Sequence, residues 1–225
     1  LLWQLFELNS AFQSHALQAC DAARLVPPLC YIMLESRRDP AKAGLIHVCT
    51  FLLLRMSGDR DFAVLLNSPL KASLPVDLPL FHGGNHADLL FVTLHKLIVN
   101  AKPSLQAMYN CFLIVMANLS PYVKRISLVA SVKLVSLFEL FTSPRFLYAA
   151  EANHAYVARL LDLFNNVVQY QYAGNPHLVY ALVKRHEAFA KLRDLELPEA
   201  VAAAARGQGR GPRFVPTRAW LEAVK

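Results

Sequence analysis

The chain has 225 residues, a formal charge of +7, 55% apolar residues and only 17% charged ones, against a usual charged share of about 25%. That length suffices to bury roughly 70–75% of the unfolded surface, in one domain or a continuous array, while so little charge leaves an unusually small surface built for water. Four of the seven net charges fall from Arg206 onward, and no basic stripe with interleaved aromatics precedes them, so nucleic acid is not an expected partner.

Taken in chain order, apolar spacing of three and four residues predicts helices near 2–8, 14–25, 28–37, 40–57, 60–66, 86–101, 105–119, 122–141, 144–150, 153–172 and 176–195. Polar-proline pairs punctuate this order as helix openings at Asp39-Pro40, Ser120-Pro121, Ser143-Pro144 and Asn175-Pro176. Asp59 and Asp61 flank Arg60 at a helix start, where capping and the helix dipole account for both acids. Strands are not required anywhere, because the Val- and Leu-rich runs exceed strand length and keep helical spacing.

One long connection, Asn67 to Asn85, carries three prolines and two adjacent glycines among Leu74, Val76, Leu78 and Phe81. Two readings suit it equally: a partner- or membrane-facing loop, or a tether pinned across the helices by those apolar residues. In Asn153 to Tyr172, the residues Val157, Leu160, Leu161, Phe164, Val167 and Val168 form one stripe. Leu178, Val179, Leu182, Val183, His186 and Phe189 repeat it, so the stripes are expected to face each other as an antiparallel hairpin. Between them Gly174 is expected as a left-handed C-terminal cap, Asn175 as the next cap and Pro176 as the first helical residue.

The intervals between major helices are irregular, which sets aside a strict repeat such as the tetratricopeptide and predicts an all-α, irregular α-solenoid of stacked hairpins, HEAT- or armadillo-like. The expected organisation is a helical-repeat segment over 1–200, then a Gly/Arg-rich linker and the start of a further helix over 201–225, where Trp220, Leu221 and Val224 carry the apolar signal. The chain begins without Met and its first residues read as the middle of a helix, so an interior piece of a larger protein is expected, cut at both ends.

The longest apolar runs exclude a membrane span: Leu45 to Leu54 holds ten residues, interrupted by His47, where a span needs about 20. No stretch carries the charged start, apolar middle and small-residue cleavage site of a secretory signal. Cys20, Cys30, Cys49 and Cys111 lie far apart, and all but Cys20 sit among apolar neighbours; they read as reduced core thiols.

Chemistry is sparse. His82 and His86 have a four-residue spacing seen in some zinc sites, but Gly83 and Gly84 keep them off one regular helix, and neither CxxC nor HExxH occurs. A nucleophile elbow and a Walker loop are likewise missing. No catalytic residue, cofactor or metal is therefore assigned. Asn165, Asn166, Gln169 and Gln171 interrupt an apolar helix. On one reading these amides hold an extended partner peptide; on the other, which is preferred, Asn165 or Asn166 bonds a neighbouring turn while the glutamines face solvent. The candidate partner contacts are Asn166, Gln169, Leu78 and Phe81.

The blocks at 153–185, 120–141 and 43–67, with the strings FNNVVQYQ, NLSPY and LPVDLP, resemble the high-temperature-induced dauer formation family, distant relatives of dymeclin, over about residues 1–195. That resemblance implies a helical, cytoplasmic, peripheral Golgi protein without known catalytic activity. It also implies a role in secretory cargo sorting and secretory granule formation through protein partners.

Overall fold

The computed structural model describes residues 2–18, 21–71, 84–100, 103–197, 199, 201–202, 204 and 214–224. Two short helices open the chain, α1 (Leu2–Leu8) and α2 (Ser10–Gln18), and a 3-10 turn at Ala22–Leu25 leads into α3 (Val26–Ser36). A second 3-10 turn, Pro40–Lys42, leads into α4 (Ala43–Ser57), followed by α5 (Arg60–Leu65). Beyond 72–83 come α6 (His86–Val99), a 3-10 turn at Pro103–Met108, α7 (Tyr109–Leu119), α8 (Leu128–Thr142) and α9 (Pro144–Leu147). After a last 3-10 turn, Glu151–Asn153, the chain forms α10 (His154–Tyr170), α11 (Pro176–Lys184), α12 (His186–Arg193) and α13 (Arg218–Val224). Among the described residues there is no named strand; Pro69 and Asn85 make a lone antiparallel bridge.

Side-chain caps start α5, α6 and α8. The Phe62 amide donates to Asp59 Oδ1 at 3.0 Å to open α5. Asn85 and Asp88 bond each other's backbone amides in a capping box at the head of α6. The Ala130 amide donates to Ser127 Oγ at 3.2 Å, which begins α8.

Helix contacts fall into two rows. Along one, α7 packs against α4 on one side and α10 on the other; along the second, α3 packs on α6, α6 on α8 and α8 on α11. The α3–α4 and α8–α10 contacts join the rows. One continuous set of buried apolar side chains runs from Phe6 to Val224, and Phe6, Phe62, Phe91, Phe112, Phe138 and Phe141 are its largest fully buried members. Burial of such side chains, at about 1.5–3 kcal/mol each, is what holds short helices of modest intrinsic propensity.

Five sequence expectations give way here. The predicted 14–25 helix is α2 ending at Gln18 plus a separate 3-10 turn. The 122–141 helix starts six residues late, at Leu128, because residues 121–127 are held in a non-helical course by side-chain amides. The 176–195 helix breaks at Arg185 into α11 and α12. Gly174 does not take the left-handed conformation; the positive φ, 56°, belongs to Arg125, whose amide donates to the Gly174 carbonyl at 2.8 Å. Finally, the α10 and α11 stripes do not chiefly face each other: α11 packs on α8, and α10 packs on α7 and α8. Leu163 and Ala181 are therefore buried, while Val168 and Val183, assigned to the stripes, are 45% and 65% exposed.

The terminal segment packs back on the body. Trp220, Leu221 and Val224 of α13 are buried, the Trp220 indole donates to the Glu151 carbonyl at 2.9 Å, and its ring meets Tyr148 and Phe214. Cys30 and Cys49 are buried free thiols and Cys111 is half-buried; burial pushes the Cys30 thiol up to about 12, which keeps it protonated and inert. Cys20 lies outside the described residues.

Candidate interaction surface

Residues 121–127 between α7 and α8 form no helix; the Tyr122 and Val123 amides still reach the Leu119 carbonyl, and the other buried backbone groups need partners from elsewhere. Asn67 donates to the Tyr122 carbonyl at 3.0 Å and accepts from the Lys124 amide at 2.6 Å. Asn85 donates to the Lys124 carbonyl at 2.9 Å. Fully buried Asn175 donates to the Val123 carbonyl at 2.8 Å and accepts from the Ile126 amide at 3.0 Å. Gln171 donates to the Pro121 carbonyl at 2.8 Å, and Asp88 accepts from the Ser127 amide at 2.8 Å. Burial raises the Asp88 carboxyl above its usual range, against the lowering pull of its amide donors. Asn175 is thus spent on the 121–127 segment and does not cap α11 with its side chain.

Of the amides singled out in the sequence, Gln171 alone meets the 121–127 segment, through the Pro121 carbonyl. Asn166 donates to Ser120 Oγ at 3.1 Å, which is the neighbouring-turn arrangement; Gln171 departs from that reading, being half-buried and bonded. Gln169 and Asn165 are exposed. Leu78, Phe81 and His82 lie outside the described residues, as does the basic run at 205–213. His86 contacts Ser68, with Nδ1 3.1 Å from its hydroxyl and 3.0 Å from its carbonyl. Asn67, Asn85 and Asp88 went unnoticed because single polar residues at helix ends look like ordinary caps; only the fold brings them to one segment.

The 121–127 segment fixes where α8 begins, and so shapes the groove between α8 and α11. A cavity of about 260 Å³ opens there, walled by Leu128, Val132, Val135, Tyr180 and Ala181, with Ser136 on its floor and Glu139, Lys184 and Arg185 at its rim. Arg185 pairs with Glu139 at 3.3 Å, and the Lys184 ammonium lies 5.9 Å from the centre of the Tyr180 ring. The same Glu139, Lys184 and Arg185 border a neighbouring cavity of about 520 Å³ that reaches Leu147, Lys191 and Leu192. On the other side of the C-terminal helices, Leu161, Phe164, Val168, Leu182, Val183 and Phe189 line an apolar groove of about 570 Å³.

Beneath the first cavity, His95 Nε2 lies 3.0 Å from Ser136 Oγ, and that hydroxyl also reaches the Lys133 carbonyl at 2.8 Å. A hydroxyl beside an imidazole has the parts of a nucleophile and its base. Ser136, however, sits within α8, where backbone N–H groups are committed to helical carbonyls and none is left to stabilise an oxyanion. The contact is a polar tie between α6 and α8. Among the described residues no three His, Cys, Asp or Glu side chains gather in a way that would hold a metal ion, and no helix is long and apolar enough to cross a membrane.

Set beside known proteins, residues 1–202 match the Dymeclin family, described as the Dyggve-Melchior-Clausen syndrome protein. The chain is 40% identical over 195 residues to Protein HID1 of Mus musculus, covering 87% of this chain and 25% of the mouse protein. Protein HID1 of Dictyostelium discoideum is 34% identical over 196 residues, covering 87% of this chain and 21% of that protein. The Ubp5-interacting protein ftp105 of Schizosaccharomyces pombe is 24% identical over 203 residues, covering 88% of this chain and 22% of that protein. The chain thus spans about a quarter of the length of the curated relatives it matches. No solved structure matches it. With nine-tenths of its residues inside the family match and its HID1 relatives at 34–40% identity, the chain belongs to the dymeclin family.

Proposed function

We propose that this chain is a segment of a noncatalytic scaffold, an irregular α-solenoid of HEAT or armadillo type, that works through protein contacts in secretory cargo sorting and secretory granule formation. In this reading the whole protein is cytoplasmic and sits peripherally on Golgi membranes; residues 1–200 form the helical-repeat unit, and 201–225 a linker with the start of a further helix. The observation that carries it is the pairing of two helix rows with exposed apolar side chains along their outer faces, Leu45, Val48 and Phe51 on α4 and Leu128 and Val132 on α8. Stacked hairpins bury a continuous core while leaving long faces for partners, and exposed apolar patches of this kind mark contact surfaces.

The name of the fission yeast relative records a protein partner for that protein, which favours the same mode of action here. Gln169, Asn166, Leu78 and Phe81 are the proposed partner contacts; of these Gln169 offers an exposed amide, whereas Asn166 shares its amide with Ser120. Proximity labelling by the full-length protein in secretory cells tests the proposal. Enrichment of Golgi and cargo-sorting neighbours is expected, and a neighbour set without Golgi proteins would overturn it.

A further inference from the structure

We infer that the α8–α11 groove receives an acidic amphipathic segment of a partner protein, one bulky apolar side chain entering the cavity while neighbouring carboxylates meet Lys184 and Lys191. This deepens the reading of the chain as a scaffold that acts through protein contacts, and rests on it.

The cavity supplies the apolar half of the argument. Leu128 and Val132 stand one helical turn apart on α8 and are 51% and 50% exposed; across the groove Tyr180 of α11 is 61% exposed. They wall about 260 Å³, room for one large side chain rather than for a flat surface laid across it. The floor is already satisfied, because the Ser136 hydroxyl has both the Lys133 carbonyl and His95 Nε2 within hydrogen-bond distance. An apolar guest therefore strands no polar group, which is the usual penalty of filling such a pocket.

Charge supplies the other half. Three cations, Lys184, Arg185 and Lys191, line the two joined cavities, against the acids Glu139 and Glu187. Arg185 takes Glu139 at 3.3 Å, while among the described residues no carboxylate pairs with Lys184 or Lys191. Carboxylates of a partner complement that rim and set its orientation. A second copy of the chain would instead bring its own +7 against this +7.

The test uses the full-length protein and a fluorescein-labelled helical peptide of about 15 residues, rich in Glu with a single Phe anchor, alongside versions with Lys for Glu and with Ala for Phe. Fluorescence anisotropy is expected to give saturable binding of the acidic Phe peptide with a Kd of about 1–100 μM. Binding should weaken at least about tenfold with either peptide change, and equally with Val132→Asp or Lys184→Glu in the protein. Val64→Asp on α5, a substitution of the same kind at an exposed site outside the groove, should leave it unchanged. No saturation below about 1 mM, equal affinity for the Lys peptide, or indifference to Val132→Asp would overturn the inference. So would a Val132-dependent sedimentation with phosphatidylserine vesicles in the absence of peptide binding, which assigns the groove to lipid, or a Val132-dependent dimer in ultracentrifugation, which assigns it to a second copy. If wild-type protein labels Golgi neighbours in cells yet binds no acidic peptide, the groove inference falls and the scaffold reading stands.

Discussion

Asn175 shows how one side chain joins parts of the chain 49 and 52 residues apart. It is fully buried, and its donor and acceptor both go to the backbone of the 121–127 segment. Replacing it with Ala strands the Val123 carbonyl and the Ile126 amide, and leaving two buried backbone groups unpaired costs about 2–4 kcal/mol. Urea unfolding of Asn175→Ala should show that loss, while Asn165→Ala, at an exposed site, should change stability by no more than about 0.5 kcal/mol. His95 governs a second property, the acid response. Burial, with repulsion from Lys133 as the smaller cause, lowers it from 6.5 to about 4. Between those values an unfolded chain takes up a proton that the folded chain refuses, so this site makes stability fall as pH falls, by about 2 kcal/mol between pH 7 and pH 5. In His95→Gln, whose side-chain amide can still donate to Ser136, that part of the loss should vanish in unfolding curves measured at the two pH values.

At the scale of elements, the 121–127 segment ahead of α8 is the place where local sequence and global structure part. Ser120-Pro121 has the form of a helix opening, yet the cap that works is Ser127, seven residues on. The backbone between them turns through Arg125 at φ 56°, a conformation that costs a non-glycine residue about 1–2 kcal/mol. Arg125→Gly should therefore leave stability unchanged or raise it by up to about 1 kcal/mol, since glycine's added freedom in the unfolded chain offsets part of the relief. Arg125→Val should lower stability relative to Gly by at least about 1–2 kcal/mol; equal melting of the two variants would show that this turn is not constrained. The same contrast explains what was legible. Spacing of apolar residues placed α4, α6, α7 and α10 closely, and the Asp59 cap followed from residue type alone. Hidden from such reasoning were contacts across 39 to 57 residues, those of Asp88, Asn85, Asn175 and Asn67, because a polar residue at a helix end looks the same whether it caps locally or reaches across the fold. The groove was missed for a related reason: Val132 and Tyr180 become neighbours only once α11 packs on α8 and not on α10.

Across the whole molecule, the question is whether the two helix rows behave as one body. The buried apolar set is continuous from α1 to α13, and the α3–α4, α6–α7 and α8–α10 contacts tie the two rows together. In stacked helical architectures, neighbour interfaces set cooperativity: strong ones make the array unfold together, weak ones let an end fray alone. The two tryptophans stand at opposite ends of the chain, Trp3 on α1, 38% exposed, and Trp220 on α13, 4% exposed. Trp220→Phe removes the indole bond to the Glu151 carbonyl, a loss of about 1 kcal/mol, and leaves Trp3 as the sole tryptophan reporter. A continuous core carries that loss from one end to the other. The Trp3 fluorescence midpoint should then drop together with the far-ultraviolet helical signal, by about 2–4 °C for a chain of this size. A Trp3 transition that stays at its wild-type temperature while the helical signal broadens would show instead that α13 and the helices it covers melt as a separate end.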